Sequence, residues 1–482
     1  MIDPERLQKL EQLKKLKINP YPGAAVDRTE IKEVCDDFPK LEGKKVSVAG
    51  RVMSIREHGK LAFADLEDFS GRIQLWLAKD SLGKQFDLLK LIERGDFVSV
   101  QGTLAKTKRG EISVKASQIK ILTKALRNLP SEWFGLKDTE NRYRQRYVDL
   151  ILNKSVREVF LKRCQILREM RAYLDEQGYV EVETPIIQSA FGGAAAKPFK
   201  THINDLKMDA YLRISDELYL KRLIAGGFEK VYEVSKDFRN ESIDTAHNPE
   251  FTQIEFYEAY ADYEKLMKMT EEMFTRIIKK VNGGLKVKYG DAILDFTAPL
   301  KRVKFRDVVL KETGIDVDKE TTEEKLKKAM KTKKLAVDLK GVVGYGALAD
   351  ELYKKYVRSK LIQPCFLLDY PAEMIPLAKR KDDNPAKIAT FQLLANGFEL
   401  VKAYNELNDP VDQKNRFEEQ LDLEKKGLSA SFGYDEDFVR ALEYGMPPTA
   451  GWGCGIDRLT MVLTNQQSIK EAILFPFMAR EN

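Results

Sequence analysis

Residues 238–257 read FRNESIDTAHNPEFTQIEFY, and their last seven positions predict a strand. Thr252, Ile254 and Phe256 alternate with a second, mostly polar or aromatic set. That second set is Phe251, Gln253, Glu255 and Tyr257. A period of two places the two sets on opposite faces of a strand, so the Thr252 set is predicted to face a core.

The first part of the same stretch predicts a partner strand. Arg239 and Glu241 are two residues apart and are expected to share a face. Residues 242–249 form a polar run ending in Pro249, which donates no ladder hydrogen bond and disfavours helix at Asn248, so they predict a loop. The stretch therefore predicts an antiparallel pair of strands.

The polar face of this pair suits a nucleotide beside a small polar ligand. A guanidinium can bridge a carboxylate and a phosphate, and an aromatic ring can cover a purine. Spare carboxylates require a cation before their burial is tolerable. The alternative interpretation is a solvated sheet face with a surface ion pair.

A second motif, GWGCGIDR, occupies residues 451–458. Arg458 follows this glycine-rich strand at the start of a predicted helix, where backbone N–H groups also favour anions. The glycines could instead serve close packing alone.

Both motifs resemble class II aminoacyl-tRNA synthetases. Residues 238–241 followed by 247–251 resemble motif 2 of the lysyl members, and residues 451–458 resemble motif 3. The predicted helix 156–177 and the strand after it resemble motif 1, which forms the dimer interface in that family. The likeness runs from about Val46 to Met478.

The resemblance implies that ATP activates lysine to lysyl-adenylate, and that the lysyl group then passes to the 3′ end of tRNA(Lys). In-line attack on the α-phosphate depends on positioning and charge neutralisation, so no side-chain nucleophile is needed. The implied catalytic residues are Arg239 and Arg458. The implied ATP-binding residues are Arg239, Glu241, His247, Asn248, Phe251, Glu399 and Arg458.

The implied lysine-binding residues are Gly193, Glu217, Arg239, Glu255, Tyr257, Lys402, Tyr404 and Glu406. Glu217 and Gly193 are assigned to the α-amine, Glu255, Tyr257 and Glu406 to the ε-ammonium, and Tyr404 to the aliphatic stem. Three carboxylates gathered in one pocket would be destabilising without a cationic ligand. This cluster favours lysine over aspartate or asparagine.

Asn396-Gly397 predicts a two-residue hairpin that pairs Leu394 with Glu399 and Gln392 with Val401. Glu399 and Lys402 then face opposite sides, unless a bulge lies between them.

Two positions of this hairpin depart from the pattern of the family. Gln392 stands where a magnesium-binding glutamate is common, which leaves Glu399 as the one carboxylate of the pair and makes Gln392 a doubtful metal ligand. Lys402 stands where asparagine is usual, and its ammonium could replace lost metal charge. We expect Mg²⁺ as cofactor, with reduced dependence on a second ion.

Residues 46–125 alternate in five short runs with a helical stretch after the third, which predicts a closed barrel of the OB type. By resemblance this domain binds the anticodon through Phe63 and Gln74, with Arg56 available to phosphate. Phe63 or Trp76 could instead fill the barrel.

The composition predicts a globular chain of two or three domains: 482 residues, 43% apolar, 32% charged and a net charge of +6. Four scattered cysteines and three histidines suggest neither a disulfide framework nor a zinc site. No signal peptide or membrane span is visible, so we expect a protein of the cytoplasm without membrane contact. The resemblance to class II synthetases implies a homodimer.

The predicted fold class is α+β, with an N-terminal five-stranded OB-type barrel and a class II catalytic domain on a mostly antiparallel sheet. The predicted bounds are a helical extension at 1–45, the barrel at 46–125, a linker at 126–150 and the catalytic domain at 151–482. A helical insertion is expected at about 300–363. Alternatives to the ligase are a synthetase-like paralogue with altered activity and a non-catalytic RNA-binding protein.

Overall fold

The computed structural model describes residues 2–130, 136, 138–429 and 432–480. The chain forms two compact units, residues 1–137 and residues 138–482. Part of the predicted linker, residues 131–135 and 137, lies outside the described residues. Its last part, from residue 139, is helical and belongs to the second unit.

The first unit contains the closed five-stranded barrel that the sequence predicts. Its strands are β1 Lys45–His58, β2 Leu61–Glu67, β3 Arg72–Ala78, β4 Phe97–Lys106 and β5 Ile112–Thr123. They close in the order β1-β2-β3-β5-β4, with β3 and β5 parallel. Every second residue, such as Leu66, Leu75 and Val100, is fully buried inside.

Short helices surround the barrel. They are α1 Pro4–Lys15, α2 Ile31–Asp36, α3 Phe38–Leu41, α4 Lys79–Leu82 and a 3₁₀ helix Gly83–Leu91. Asp3 caps α1 by accepting the N–H groups of Glu5 and Arg6. Leu13 of α1 is fully buried in the barrel core, so this helix packs on the barrel as its apolar spacing predicts.

The second unit is built on an eight-stranded sheet in the order β14-β15-β16-β17-β18-β11-β10-β6. Its strands are β6 Val180–Glu181, β10 Lys230–Phe238, β11 Glu250–Ala259, β14 Lys301–Lys304, β15 Cys365–Leu368, β16 Thr390–Ala395, β17 Phe398–Asn405 and β18 Thr449–Gly455. Smaller sheets contain β7 Ile187–Gln188, β8 Lys200–Ile203, β9 Met208–Leu212, β12 Lys286–Tyr289 and β13 Ala292–Asp295. Within the eight-stranded sheet only the two outermost pairs are parallel, which confirms a mostly antiparallel sheet.

Helices flank the sheet. They are α5 Thr139–Arg144, α6 Arg146–Leu152, α7 Lys154–Glu176, α8 Glu217–Ala225, α9 Tyr263–Asn282, α10 Phe305–Thr313, α11 Glu323–Thr332, α12 Tyr345–Tyr356, α13 Pro410–Lys425, α14 Glu436–Glu443, α15 Ile456–Leu463 and α16 Ile469–Ala472. Short 3₁₀ turns span Arg358–Lys360 and Ala372–Met374. Ile254 and Phe256 of β11 are fully buried in one core with residues of α7 and α9, as their parity predicts. Tyr257 lies in the core on the opposite side, with residues of α8.

The stretch from about 300 to 363, predicted as a helical insertion, also contributes a strand to the main sheet and residues to its core. It begins with β14, which pairs with β15 at the edge of the main sheet. Phe305 and Leu352 of its helices are fully buried in the same core as Tyr257. The sequence pattern predicts that the helices of this segment have an apolar face, but it does not predict which sheet that face packs against.

Among the described residues, none of the helices combines the length and the apolar character that a membrane crossing requires.

Candidate active site

One large cavity of about 1050 Å³ lies in the second unit. It brings together side chains from α8, β11, β17, β18 and the loops between them. The predicted site residues that line it are Gly193, Glu217, Arg239, Glu241, His247, Asn248, Phe251, Glu255, Tyr257, Gln392, Glu399, Lys402, Tyr404, Glu406 and Arg458. Residues distant in sequence therefore meet at one place, although their separate roles stay predictions.

The floor of the cavity is the pair β11–β18. Glu255 lies opposite Gly453, and Tyr257 lies opposite Gly451. A Cβ at Gly451 would overlap both Glu406 Oε1 and the Tyr257 ring. This glycine therefore leaves room for the large polar side chains beside it.

The β16–β17 hairpin contains the bulge that a shared site requires. Asn396 and Gly397 both have positive φ, 48° and 72°, which suits a tight two-residue turn. Leu394 pairs with Glu399 as predicted, but the register then shifts.

Because of this shift Gln392 lies opposite Lys402, and its predicted pairing with Val401 is wrong. The extra residue reverses the side-chain alternation after Glu399. Glu399 and Lys402 consequently line the same cavity.

The more open end of the cavity carries the cationic groups expected to bind phosphate. The Arg458 guanidinium lies 3.0 Å from His247 Nε2, and His247 Nδ1 lies 2.9 Å from the Asp244 carboxylate. Burial lowers the pKa of Arg458, which Glu399 partly offsets, and the nearby Arg239 lowers it further. Two guanidinium groups thus face one region and would bind a polyanion favourably.

Arg239 and Glu241 do not share a strand face, and that prediction is wrong. Strand β10 ends at Phe238, and both residues follow it in the loop. Pro249 still accepts the Arg239 N–H at 2.9 Å, but the alternation stops there. The guanidinium of Arg239 donates to the Ile214 carbonyl and lies 5.0 Å from the centre of the Phe251 ring.

Other residues at this end are exposed or bound to backbone. Glu241 is exposed and accepts the Lys197 N–H at 3.3 Å. Asn248 is buried and donates to the Glu250 carbonyl, so it supports the hairpin. Asp457 accepts the Thr252 N–H at 2.9 Å and thereby fixes the start of α15, where Arg458 lies.

The opposite end of the cavity is enclosed and acidic. Glu217, Glu255 and Glu406 are each at most 9% exposed. Glu255 accepts hydrogen bonds from Gln253 at 2.6 Å and from the Tyr257 hydroxyl at 3.0 Å. The Tyr404 hydroxyl donates to Glu217 at 2.8 Å.

Lys221 lies at the acidic end, although we did not predict it there. Its fully buried ammonium forms ion pairs with Glu217, at 2.5 Å, and with Glu406. The three carboxylates therefore already have a cation beside them in this pocket. This corrects the prediction that they would need a cationic ligand. The Glu217–Lys221 spacing of four residues on a predicted helix was the available signal.

Burial is the main cause of the pKa shifts of the carboxyl groups at the acidic end. It raises the pKa of Glu255 well above its usual value, and the nearby carboxylates of Asp216 and Glu217 raise it further. Burial also raises the pKa of Glu406, to about 8, although Lys221 partly offsets the effect. A cation bound at this end would therefore favour the loss of a proton from these carboxyl groups.

The donor set for a metal ion is small. Gln392 Oε1 accepts the Tyr370 hydroxyl at 2.6 Å, so this amide oxygen already has a buried partner. Among the described residues, no cluster of three or more His, Cys, Asp or Glu side chains could hold an ion. Of Gln392 and Glu399, Glu399 provides the carboxylate that could contact an ion shared with a bound polyphosphate.

The barrel of the first unit has its own candidate surface. Arg56, Phe63 and Trp76 lie side by side across β1, β2 and β3. Arg56 is exposed, and the two aromatic rings are half-buried with centroids 6.4 Å apart. Phe63 and Trp76 therefore lie on the outer face and do not fill the barrel.

Gln74 lies on the same face, two residues from Trp76. Its carbonyl oxygen accepts the Ser113 hydroxyl at 2.9 Å. Asp65 lies opposite Gln74 and forms an ion pair with Arg72 at 2.9 Å.

Two families match the chain. Residues 138–479 match the class II tRNA synthetases (D, K and N), and residues 46–122 match the OB-fold nucleic acid binding domain. The chain belongs to the class II tRNA synthetases, with an OB-fold domain preceding the catalytic one.

Three relatives within this family align with nearly the whole chain. The lysine–tRNA ligase of Thermoanaerobacter pseudethanolicus is 46% identical over 99% of this chain and 96% of its own length. Those of Carboxydothermus hydrogenoformans and Clostridium tetani are 47% and 48% identical, each over 98% of this chain, and over 97% and 95% of their own lengths.

Proposed function

We propose that this protein is a lysine–tRNA ligase, which joins lysine to tRNA(Lys) at the expense of ATP. The observation that carries the proposal is the division of one cavity into an enclosed acidic end and a more open cationic end. An amino acid with two ammonium groups suits the first, and a nucleotide polyphosphate suits the second. The names of the full-length relatives agree with this reading.

We assign activation to the cationic end. Arg239 lies beside the Phe251 ring and would hold the lysine carboxylate against the α-phosphate, while Phe251 stacks on adenine and Glu241 and Asn248 contact the nucleotide. Arg458 and His247 would bind the outer phosphates. Charge neutralisation and alignment then lower the barrier for in-line attack, and no residue needs to form a covalent bond.

At the acidic end we assign Glu217 and Gly193 to the α-amine. Gly193 has φ of +88°, and a Cβ there would come within 2.9 Å of Ser215. Glu255, Tyr257 and Glu406 would bind the ε-ammonium, and Tyr404 would cover the aliphatic stem. This arrangement rejects aspartate, whose side chain would meet carboxylates of the same charge.

Mg²⁺ would be held by Glu399 together with the phosphates of ATP, whose charge it would partly neutralise. We infer a reduced dependence on a second ion because Gln392 contributes no charge and its oxygen already binds Tyr370. Lys402 lies opposite Gln392 on the same hairpin and is available to the carboxylate or the phosphates.

The barrel would bind the anticodon of the tRNA through Phe63 and Gln74, with Arg56 near the backbone. Stacking of one base on an aromatic ring contributes about 1–3 kcal/mol. We therefore expect Phe63→Ala to raise the KM for tRNA roughly tenfold or more, without changing tRNA-independent activation of lysine. Phe69→Ala is the control, because Phe69 is 70% exposed in the loop after β2.

We also propose a homodimer that acts in the cytoplasm, where ATP and tRNA are available. Support for the dimer comes from exposed apolar side chains near motif 1: Leu161, Val180, Ile186 and Ile187, each 45–53% exposed. Light scattering after gel filtration should give twice the mass of 55.2 kDa.

Pyrophosphate exchange into ATP tests the activity. L-lysine should support exchange without tRNA, whereas aspartate and asparagine should not. Exchange that depends on aspartate, or no exchange with any amino acid, would overturn the proposal.

A further inference from the structure

Lys221 reaches the acidic end from outside the cavity. Glu217 and Glu406 line the cavity, but Lys221 is absent from its described lining. The ammonium is fully buried between these carboxylates and lies 5.6 Å from the Tyr404 ring centre and 5.8 Å from that of Phe438. A ligand in the cavity can therefore contact both carboxylates without displacing Lys221.

Carboxyl groups outnumber ion-paired ammonium groups at this end. Glu217, Glu255 and Glu406 line the cavity, and Lys221 forms ion pairs with Glu217 and Glu406. The excess of carboxyl groups suits a ligand that carries ammonium groups. Glu406 Oε1 has no hydrogen-bond partner in the described part of the chain, so it remains available to a ligand.

We propose that Lys221 is a positioning residue, whose ammonium holds the Glu217 and Glu406 carboxylates from behind and favours their ionised forms, which bind the ammonium groups of the ligand. The inference rests on the proposed function and assigns a role within the same site. Without Lys221 the two carboxyl groups would repel each other or take up a proton, and each outcome weakens binding of lysine.

The protonation of Glu406 supports this role. Burial raises the pKa of the carboxyl, whereas Lys221 lowers it. The groups that face Glu406 are Lys221 and Glu217 of α8, Tyr404 and Lys402 of β17, and Tyr257 of β11. Burial alone would lower the pKa of Lys221, but its two ion pairs raise it above the ordinary value, so this ammonium stays charged.

The test compares Lys221→Met (K221M) with wild type in pyrophosphate exchange. K221M should raise the KM for lysine about thirtyfold at pH 7, because a charged hydrogen-bond partner is lost at each carboxylate. The KM for ATP should change less than twofold. The lysine KM of K221M should also fall more steeply between pH 7 and pH 9 than that of wild type.

Lys265→Met is the matched control. It removes an ion pair of 2.7 Å with Glu258 of β11, and neither residue lines the cavity. Its KM for lysine should equal that of wild type. Lys221→Gln keeps a donor of similar length without the charge and should behave like K221M.

A lysine KM in K221M and K221Q within threefold of wild type overturns the inference, as does an equal rise in both KM values. Should both variants unfold, Lys221→Ala with n-propylammonium replaces them, and the amine must then restore lysine-dependent exchange. Failure of that rescue also overturns it. Wild type without lysine-dependent exchange would instead refute the proposed function itself.

Discussion

The two ends of the cavity differ in how their charged groups are arranged. At the acidic end, Lys221, Glu217 and Glu406 are buried and already paired with one another. At the cationic end, His247 and Glu241 are exposed, and the guanidinium of Arg239 contacts a backbone carbonyl and a ring face. One end is organised before the ligand arrives, and the other is completed by the ligand.

This difference follows from the cost of burial. A small ammonium gains little from an exposed carboxylate, so the site that selects it must be dry and internally compensated. A polyphosphate carries enough charge to bind guanidinium groups at a more open surface. Substitutions at the two ends should therefore affect different kinetic constants.

The largest expected effect is at the cationic end. Arg239→Ala removes a guanidinium that would stabilise charge developing on the α-phosphate, so kcat for pyrophosphate exchange should fall about a thousandfold. Lys236→Ala is the control, because Lys236 pairs with Glu250 at 3.1 Å on the same hairpin outside the cavity. A loss below tenfold in Arg239→Ala would contradict the assignment.

A smaller effect is expected from closing the acidic end. Gly451→Ala places a methyl group against Glu406 and Tyr257, so the KM for lysine should rise about a hundredfold. In Gly453→Ala the new Cβ would lie 3.5 Å from Glu255, an ordinary contact, and the lysine KM should change far less. Equal effects of the two substitutions would mean that lysine binds elsewhere.

The sequence predicts much of this comparison, because strand periodicity is a local signal. Glu255 and Tyr257 share the cavity face as their parity requires, and the hairpin bulge was needed to bring Glu399 and Lys402 together. The predicted end of β10 is wrong. Arg239 and Glu241 keep the two-residue spacing of a strand, but the strand ends before them, at Phe238.

Lys221 was missed for a different reason. Its pairing with Glu406 joins residues 185 positions apart, and no local spacing encodes that contact. A Glu–Lys pair four residues apart on a helix usually predicts an ion pair on the protein surface. Only the packing of α8 against β10 and β11 makes it part of the site.

The pH dependence of lysine binding is a further distinction between the ends. Burial raises the pKa of Glu406 to about 8, although Lys221 partly offsets the effect, and a bound ammonium favours the ionised carboxylate. Lysine affinity should therefore rise from pH 7 to pH 8, as a larger fraction of Glu406 is ionised before lysine binds.

Calorimetry of lysine binding in buffers of different ionisation enthalpy checks this pH dependence, because lysine binding at pH 7 should release protons. ATP binding under the same conditions serves as the comparison. Lysine binding without proton release would contradict the assignment of the Glu406 carboxyl.

The smallest effect concerns the metal. The rate of exchange in wild type should depend on free Mg²⁺, beyond that bound to ATP, by less than a factor of about three. Gln392→Glu combined with Lys402→Asn restores a carboxylate pair and removes the nearby ammonium, so dependence on a second ion should increase. An unchanged Mg²⁺ titration would show that Gln392 and Lys402 do not act through the metal.

A crystal structure with L-lysine and a non-hydrolysable ATP analogue tests the division of the cavity most directly. We predict that the ε-ammonium lies within hydrogen-bond distance of Glu255 and Glu406, that Lys221 keeps both ion pairs, and that the phosphates contact Arg239 and Arg458. Lysine bound among the guanidinium groups, or Lys221 displaced from Glu406, would contradict the account.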